Sequence, residues 1–369
     1  MSVPQRFQEA LHRAVGLEND GKMFEAEQLY RQLTNLARAP DLAHYQYAQF
    51  LLRRGDYNEA WPHFMKRLDD EVYRSRSAAT LTKPYLKTIN QEALRNQTVL
   101  VYCDQGIGDA IMCARYVPLL AELSAGVVLT VFHGFRELFS SLGDIRNVTI
   151  IEFGEKLPPY DVHADILSLP AIFATTPENI PPADWMKTAA EWQAFWAERI
   201  PAADGLNIGL AWQGSAMQSR DEERSAKLAS LRPLFETAHR YYSLQAGPGI
   251  QQVADLPEPA VLCRFEEIEA DIDMPTAQMV KCAALINQLD LVITVDTAIG
   301  HLAGALGKPV WILTVKVPYW VYMLEGERTP WYPSARLFRT EERYNWDGVI
   351  ARMVERLQQP EPLADQASS

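Results

Sequence analysis

The sequence predicts an α/β protein: two doubly wound halves of strands and helices, preceded by a short all-α region. Three observations carry this. From Gln97 onward, short apolar runs alternate with segments of helical period, and the series stops at a proline-rich break and starts again. Each series holds an apolar run that ends in a small-residue turn with an aspartate in it, CDQGIGD at 103–109 and LVITVDTAIG at 291–300. The first seventy residues, by contrast, repeat themselves at an offset of 34.

The repeat pairs GKMFEAEQLY (21–30) with GDYNEAWPHF (55–64): Gly21 with Gly55, Met23 with Tyr57, Glu25 with Glu59, Ala26 with Ala60 and Tyr30 with Phe64. A small alanine lets two helices approach, and the larger side chains fill the space between them. HYQYAQFLLRRG (44–55) supplies the first helix of the second unit. This 34-residue period resembles the tetratricopeptide repeat, although only about two units fit where three are usual for independent stability. A generic helical hairpin is the plainer alternative. Residues 70–95 read as a charged connector.

In the first half, TVLVY (98–102) reads as a strand and DAIMCARYVPLLAEL (109–123) as a helix. GVVLTVFHG is a strand, FRELFSSL a short helix and VTIIEF a strand, and YDVHADILSLPAIF (160–173) is expected to bring a turn and a helix. PENIPPADW (177–185) breaks the series, and AAEWQAFWAERI is a helix. In the second half, LNIGLAWQG, RYYSLQAG, AVLCRF, LVITVDT and VWILTV read as strands. ASLRPLFETAH, TAQMVKCAALINQLD and AIGHLAGALGKP read as the helices between them, and WDGVIARMVERLQ (346–358) as a last amphipathic helix. The expected organisation is a helical region at 1–75, an α/β domain at 96–200, a second at 205–335, and a helix and tail at 336–369.

Composition narrows the function. The chain has 369 residues and a net charge of −12, which argues against nucleic acid as a partner, since phosphate backbones select basic surfaces. Cys103, Cys113, Cys263 and Cys282 form no CxxC pair or metal spacing and read as reduced, buried thiols of a cytoplasmic protein. The N-terminal stretch has no apolar signal-peptide core, and no uncharged apolar run reaches membrane-spanning length, so no membrane span is expected.

In doubly wound sheets, ligands bind beyond the carboxyl ends of the strands. There the first half offers Gly106, Gly108 and Asp109. Ile111 stands where a GxGxxG fingerprint needs its third glycine, which disfavours a dinucleotide site. Asp109 reads as a helix cap, a ligand or a base. The second half offers Asp296, a capping Thr297, and a helix start with Ala298 and Gly300 whose small residues leave backbone N–H groups approachable by an anion. A plain capped helix is the alternative.

Together, GIGD (106–109), SLP (168–170), GLAWQG (209–214), SLQ (243–245) and VDTAIGHLAGALGKPVW (295–311) resemble the GT-B glycosyltransferases of the heptosyltransferase-like family 9. The resemblance covers about residues 97–335. It implies two Rossmann-like domains, with a nucleotide-diphosphate sugar on the second and the acceptor hydroxyl on the first, near Gly106 and Gly108. Transfer is then inverting and independent of metal or cofactor. Asp109 falls at the family's base position and Asp296 at its acidic site near the donor, and the turn from Thr297 to Gly300 faces the diphosphate. His301 touches phosphate or packs inside. Gln213, Gly214 and Gln245 lie at strand ends toward the nucleotide. The chain departs from the pattern in the loop 215–228, where Ser219 stands in place of a lysine, leaving Arg220, Arg224 and Lys227 as the cations for the diphosphate. The aromatic stretch Tyr319, Trp320, Tyr322, Trp331 and Tyr332 reads as core or seam.

A helical arm joined to such a domain resembles bacterial proteins that glycosylate proteins such as flagellin, with the arm bringing the protein acceptor. Two alternatives are a non-catalytic binding scaffold, which the altered loop favours, and a nucleotide-sugar epimerase, which needs no arm.

Overall fold

The structure is a computed structural model that describes residues 3–36, 40–69, 81–202, 204–215, 221–256, 262–263, 275–342, 345–359 and 363. It opens with four helices: α1 (Val3–Asn19), α2 (Met23–Thr34), α3 (Asp41–Arg54) and α4 (Tyr57–Met65). They pack as consecutive antiparallel neighbours. The paired positions of the repeat are structurally equivalent. Gly21 and Gly55 both turn the chain at positive φ, +78° and +89°, where a Cβ would be strained. Ala26, Ala60, Tyr30 and Phe64 are all fully buried.

Two parallel sheets follow. The first runs in the order β3-β2-β1-β4, with β1 Thr98–Tyr102, β2 Gly126–Val131, β3 Val148–Glu152 and β4 Val162–Asp165. The second runs β10-β9-β8-β5-β6-β7, with β5 Asn207–Ala211, β6 Arg240–Ser243, β7 Leu262–Cys263, β8 Leu291–Val295, β9 Val310–Thr314 and β10 Ala335–Arg339. All pairings are parallel. The longer helices are α5 (Ile107–Cys113), α6 (Val117–Leu123), α7 (Ala190–Ala197), α8 (Pro275–Gln288), α9 (Ala298–Ala305) and α10 (Asp347–Leu357).

Three expectations are corrected. The segment 160–173 carries a strand, β4, and not only a turn and helix. Its polar residues His163 and Asp165 hid it, yet Asp165 is fully buried because Arg67, Tyr85 and Ser168 satisfy its carboxylate. A sixth strand of the second sheet, β10, carries Arg336 and Arg339 and was not anticipated. The helix expected at 109–123 is two helices, α5 and α6, joined by a 3-10 turn at Ala114–Tyr116, with Pro118 in the first turn of α6.

The strands of the second sheet alternate their apolar side chains between two cores. Val292, Val310 and Ile312 point into one, and Ile293, Val295, Trp311 and Leu313 into the other. The second core is closed by α10 through Val349, Ile350 and Met353. The first core is continuous through the helical region, the first sheet, α8, α9 and the aromatic stretch. The arm is therefore packed into the body of the protein and shares its core.

Strand order locates the crevices. The chain winds β1→β2→β3 in one direction and then places β4 on the other side of β1. It winds β5→β6→β7 and then places β8 on the other side of β5. Both aspartate turns thus lie at topological switch points, where the loops diverge and leave room for a ligand.

Candidate functional site

After β1 the chain turns at Gly106, the N-cap of α5, and Asp109 occupies the third helical position. From there its carboxylate reaches back to the Gly106 N–H, which is one half of a capping box. Its Oδ1 also accepts a hydrogen bond from the Tyr319 hydroxyl at 2.8 Å. Asp109 retains a little solvent contact but is ringed by protein. Burial, aided by the nearby Asp296 and Asp104 carboxylates, pushes its pKa up to about 6, against the Tyr319 and Gly106 hydrogen bonds, which lower it. Asp109 is thus a cap and also a titratable group poised near neutral pH.

After β8 comes Asp296, then Thr297 as the N-cap of α9, its side chain accepting from the Ile299 N–H. The Gly300 N–H bonds the Thr297 carbonyl. Ala298, the first residue of α9, has its N–H at the helix tip. Gly300 is buried, with Thr294, Ile312 and Tyr322 around it. Beside the tip, Arg224 donates from Nη1 to the Asp296 carbonyl at 2.9 Å and from Nε to Asp221 at 3.3 Å. A cation therefore sits at the N-terminus of α9, and it also fixes the peptide that leads into the helix.

The two turns touch. A Cβ on Gly108 would lie 2.8 Å from Cδ2 of His301 and 3.5 Å from Cα of Ala298, so only glycine lets α5 and α9 come this close. His301 is 4% exposed, bonds the Tyr332 hydroxyl through Nδ1 at 2.8 Å and stacks on Tyr322. Burial, with Arg115 and Arg224 adding to it, lowers its pKa to about 3, so the ring is neutral. Of the two roles open to His301, the structure shows the packed one.

The other expected residues divide. Gln245 is occupied by backbone: its Oε1 accepts from the N–H groups of Trp212 and Gln213, and its Nε2 donates to the carbonyls of Gln213 and Ala246. The Gln213 side chain accepts from Gln252. The Gly214 N–H donates to Ser225, and a Cβ there would strike Arg224 and Asp221. These three build the turn after β5 that carries Arg224 to its place. Lys227 is exposed, with no ion pair to a described carboxylate, and Arg220 lies outside the described residues.

Four residues the sequence reading left out of the site belong to its frame. Tyr319 binds Asp109, Tyr322 packs on His301 near Asp296, and Tyr332 binds His301. Arg115 donates to the Trp331 carbonyl at 2.7 Å and lies over the Tyr332 ring at 4.9 Å. The aromatic stretch packs into the first core, within the expected choice of core or seam, since Trp320, Tyr322, Trp331 and Tyr332 are fully buried there. Its hydroxyls nevertheless reach both turns. A surface cavity of about 390 Å³ lies elsewhere, between α10 and the turn at Ser230 and Pro233.

Chemically, the arrangement sets a carboxylate of raised pKa on one sheet against a helix N-terminus and an arginine on the other. Among the described residues, no group of His, Cys, Asp and Glu has metal-binding geometry. No described helix is long and apolar enough to cross a membrane.

Comparison with known proteins gives three findings. The model of Glycosyltransferase family 9 (heptosyltransferase) matches residues 262–313, the segment that holds β8, α9 and β9. Protein FlbA of Caulobacter vibrioides is 26% identical over 345 residues, which cover 85% of this chain and 55% of that protein, so the chain spans about half the length of this relative. Among solved structures, E. coli ADP-heptose LPS heptosyltransferase II shows 15% identity over 70% of this chain and 97% of its own, with a TM-score of 0.49. E. coli heptosyltransferase WaaC with ADP-2-deoxy-2-fluoro heptose shows 13% identity over 70% and 99%, with a TM-score of 0.45.

Proposed function

We propose that the chain is an inverting glycosyltransferase that moves a sugar from a nucleotide-diphosphate donor to a hydroxyl group. The observation that carries this is the direct apposition of the two switch-point turns, one with a titratable carboxylate and the other with a helix N-terminus and Arg224. The family match over the second turn supports it. In this reading Asp109, ionised above about pH 6, accepts the proton of the acceptor hydroxyl. The acceptor oxygen attacks the anomeric carbon from the face opposite the diphosphate, and configuration inverts. Charge that grows on the leaving diphosphate is met by the Ala298 N–H, the α9 dipole and Arg224. These groups supply the positive charge that a metal supplies in other transferases, so the reading requires none.

The helical region is proposed as a tetratricopeptide-type arm. Its equivalent glycines and buried alanines support that, and the acceptor is then a protein, flagellin being one candidate. The non-catalytic scaffold is the second reading, favoured by Ser219 in the altered loop and by the burial of Gly300 and His301.

The test measures donor binding, transfer and donor hydrolysis over a panel of nucleotide sugars, with the wild type beside Asp109→Asn. One donor is expected to bind both equally, while turnover falls on the order of 10²–10⁴-fold in the variant. Unchanged turnover reduces Asp109 to a cap. Absence of binding across the panel favours the scaffold.

A further inference from the structure

Tyr319 is 210 residues from Asp109 in sequence, yet its hydroxyl donates to Asp109 Oδ1 at 2.8 Å. It stands in the loop after β9, so what fixes that loop fixes the hydrogen bond. The next residue, Trp320, is fully buried and starts a 3-10 turn, Trp320–Tyr322. Two arm residues of α4 meet its ring edge-on: Trp61 at 5.9 Å between centroids and Phe64 at 6.5 Å. Trp331 meets it at 4.9 Å, and Trp331 Nε1 donates to the hydroxyl of Tyr57, also on α4, at 2.7 Å. The Leu324 N–H donates to the carbonyl of Arg53 on α3 at 2.9 Å. Between these anchors Met323 adopts φ +56°, a conformation side chains rarely take without support from both sides. The same arm grips the first sheet. Trp61 Nε1 donates to the Thr175 carbonyl at 2.6 Å, and Arg67 donates to Asp165 at 2.7 Å. The arm thus grips both the loop that bears Tyr319 and the end of β4, which pairs with β1, the strand that leads to Asp109. A tether that only captures an acceptor needs neither contact.

We infer that Tyr319 is a positioning residue for Asp109, and that the N-terminal helices act on the reaction by bracing the loop that carries Tyr319. The inference rests on the reading of Asp109 as the base. Besides Tyr319, the groups that interact with Asp109 include Asp104, Asp296, Tyr45 of α3, Cys113 and Tyr332, with Arg224 at the facing start of α9. The Tyr319 and Gly106 hydrogen bonds are the direct contacts that favour the ionised carboxylate.

The experiment uses the full chain in three forms: wild type, Tyr319→Phe and Trp61→Leu, with Phe64→Leu in place of the last if it does not fold. The Asp109 carboxyl is titrated by 13C NMR and assigned by its absence in Asp109→Asn, which requires no substrate. Tyr319→Phe is expected to raise the midpoint by about one pH unit. The arm variant, which removes no group that touches Asp109, is expected to raise it by part of that. With an active donor, the acid limb of the kcat profile moves by the same amounts while the acceptor KM changes little. An unmoved midpoint in Tyr319→Phe overturns the role of Tyr319. An unmoved midpoint in the arm variant, with only the acceptor KM raised, overturns the bracing. Failure of the transferase reading shows separately, as a wild type that turns over no donor while the titration still decides the brace.

Discussion

After β1 the chain enters α5 with Asp109 in the first turn of the helix, and after β8 it enters α9 with Asp296 just before the cap Thr297. The parts are alike: a buried parallel strand, a tight turn, an acid and a helix start. They are secured differently. The Asp109 side chain is held, by Tyr319 and the Gly106 N–H, in surroundings that resist its charge. At Asp296 the backbone is held as well, by Arg224 on the carbonyl, Tyr322 lies beside the side chain, and a separate residue caps the helix. The first turn is built to titrate and the second to stay put. A reaction that moves a proton on one side and stabilises an anion on the other needs that division.

Three substitutions sharpen the contrast, in falling order of effect. Asp109→Asn is expected to stabilise the fold at pH 8 by about 2–3 kcal/mol. Its folded pKa, about 6, lies above its ordinary 3.8. The native state therefore holds the proton more tightly than the unfolded chain. Wild-type stability falls as pH rises through that window, and the cost is fully present above it. The gap in Tm between variant and wild type should thus open from pH 4 to 7 and stay level beyond, as read by thermal melts across pH. Gly108→Ala places a Cβ 2.8 Å from His301 and against the Ala298 backbone, so α5 must draw away from α9. The expected loss is about 1–3 kcal/mol by urea unfolding. Thr297→Ala removes the cap of α9 and is expected to cost about 1 kcal/mol, with Thr297→Ser restoring most of it. An Asp296→Asn variant that gains as much stability at pH 8 as Asp109→Asn would erase the contrast between the two turns.

Much of this was legible in the sequence because it is local. The uninterrupted apolar runs TVLVY, LVITV and VWILT became strands, and Thr297 capped the helix its position implied. The strands that were missed, VHAD and ARLFR, carry buried or half-buried charges whose partners lie elsewhere in the chain, as Arg67 does for Asp165. The same holds at the site. Asp109, Asp296 and Arg224 sit in recognisable turns, whereas Tyr319 acts across the seam between halves, and no spacing in a single sequence announces such a contact. His301 and Gln245 show the opposite case. Their side chains are engaged by close packing against Gly108 and by backbone N–H groups after β5, partners that local sequence does not announce.

The proposed mechanism requires that the leaving diphosphate lie at the start of α9 with Asp109 across the contact. The most direct test is a crystal structure with the product nucleoside diphosphate bound. The predicted result is a terminal phosphate about 3 Å from the Ala298 N–H and from the Arg224 guanidinium, with the sugar-side oxygen toward Asp109. A nucleotide seated instead over Gly106–Asp109, or with its phosphates away from α9, would contradict it.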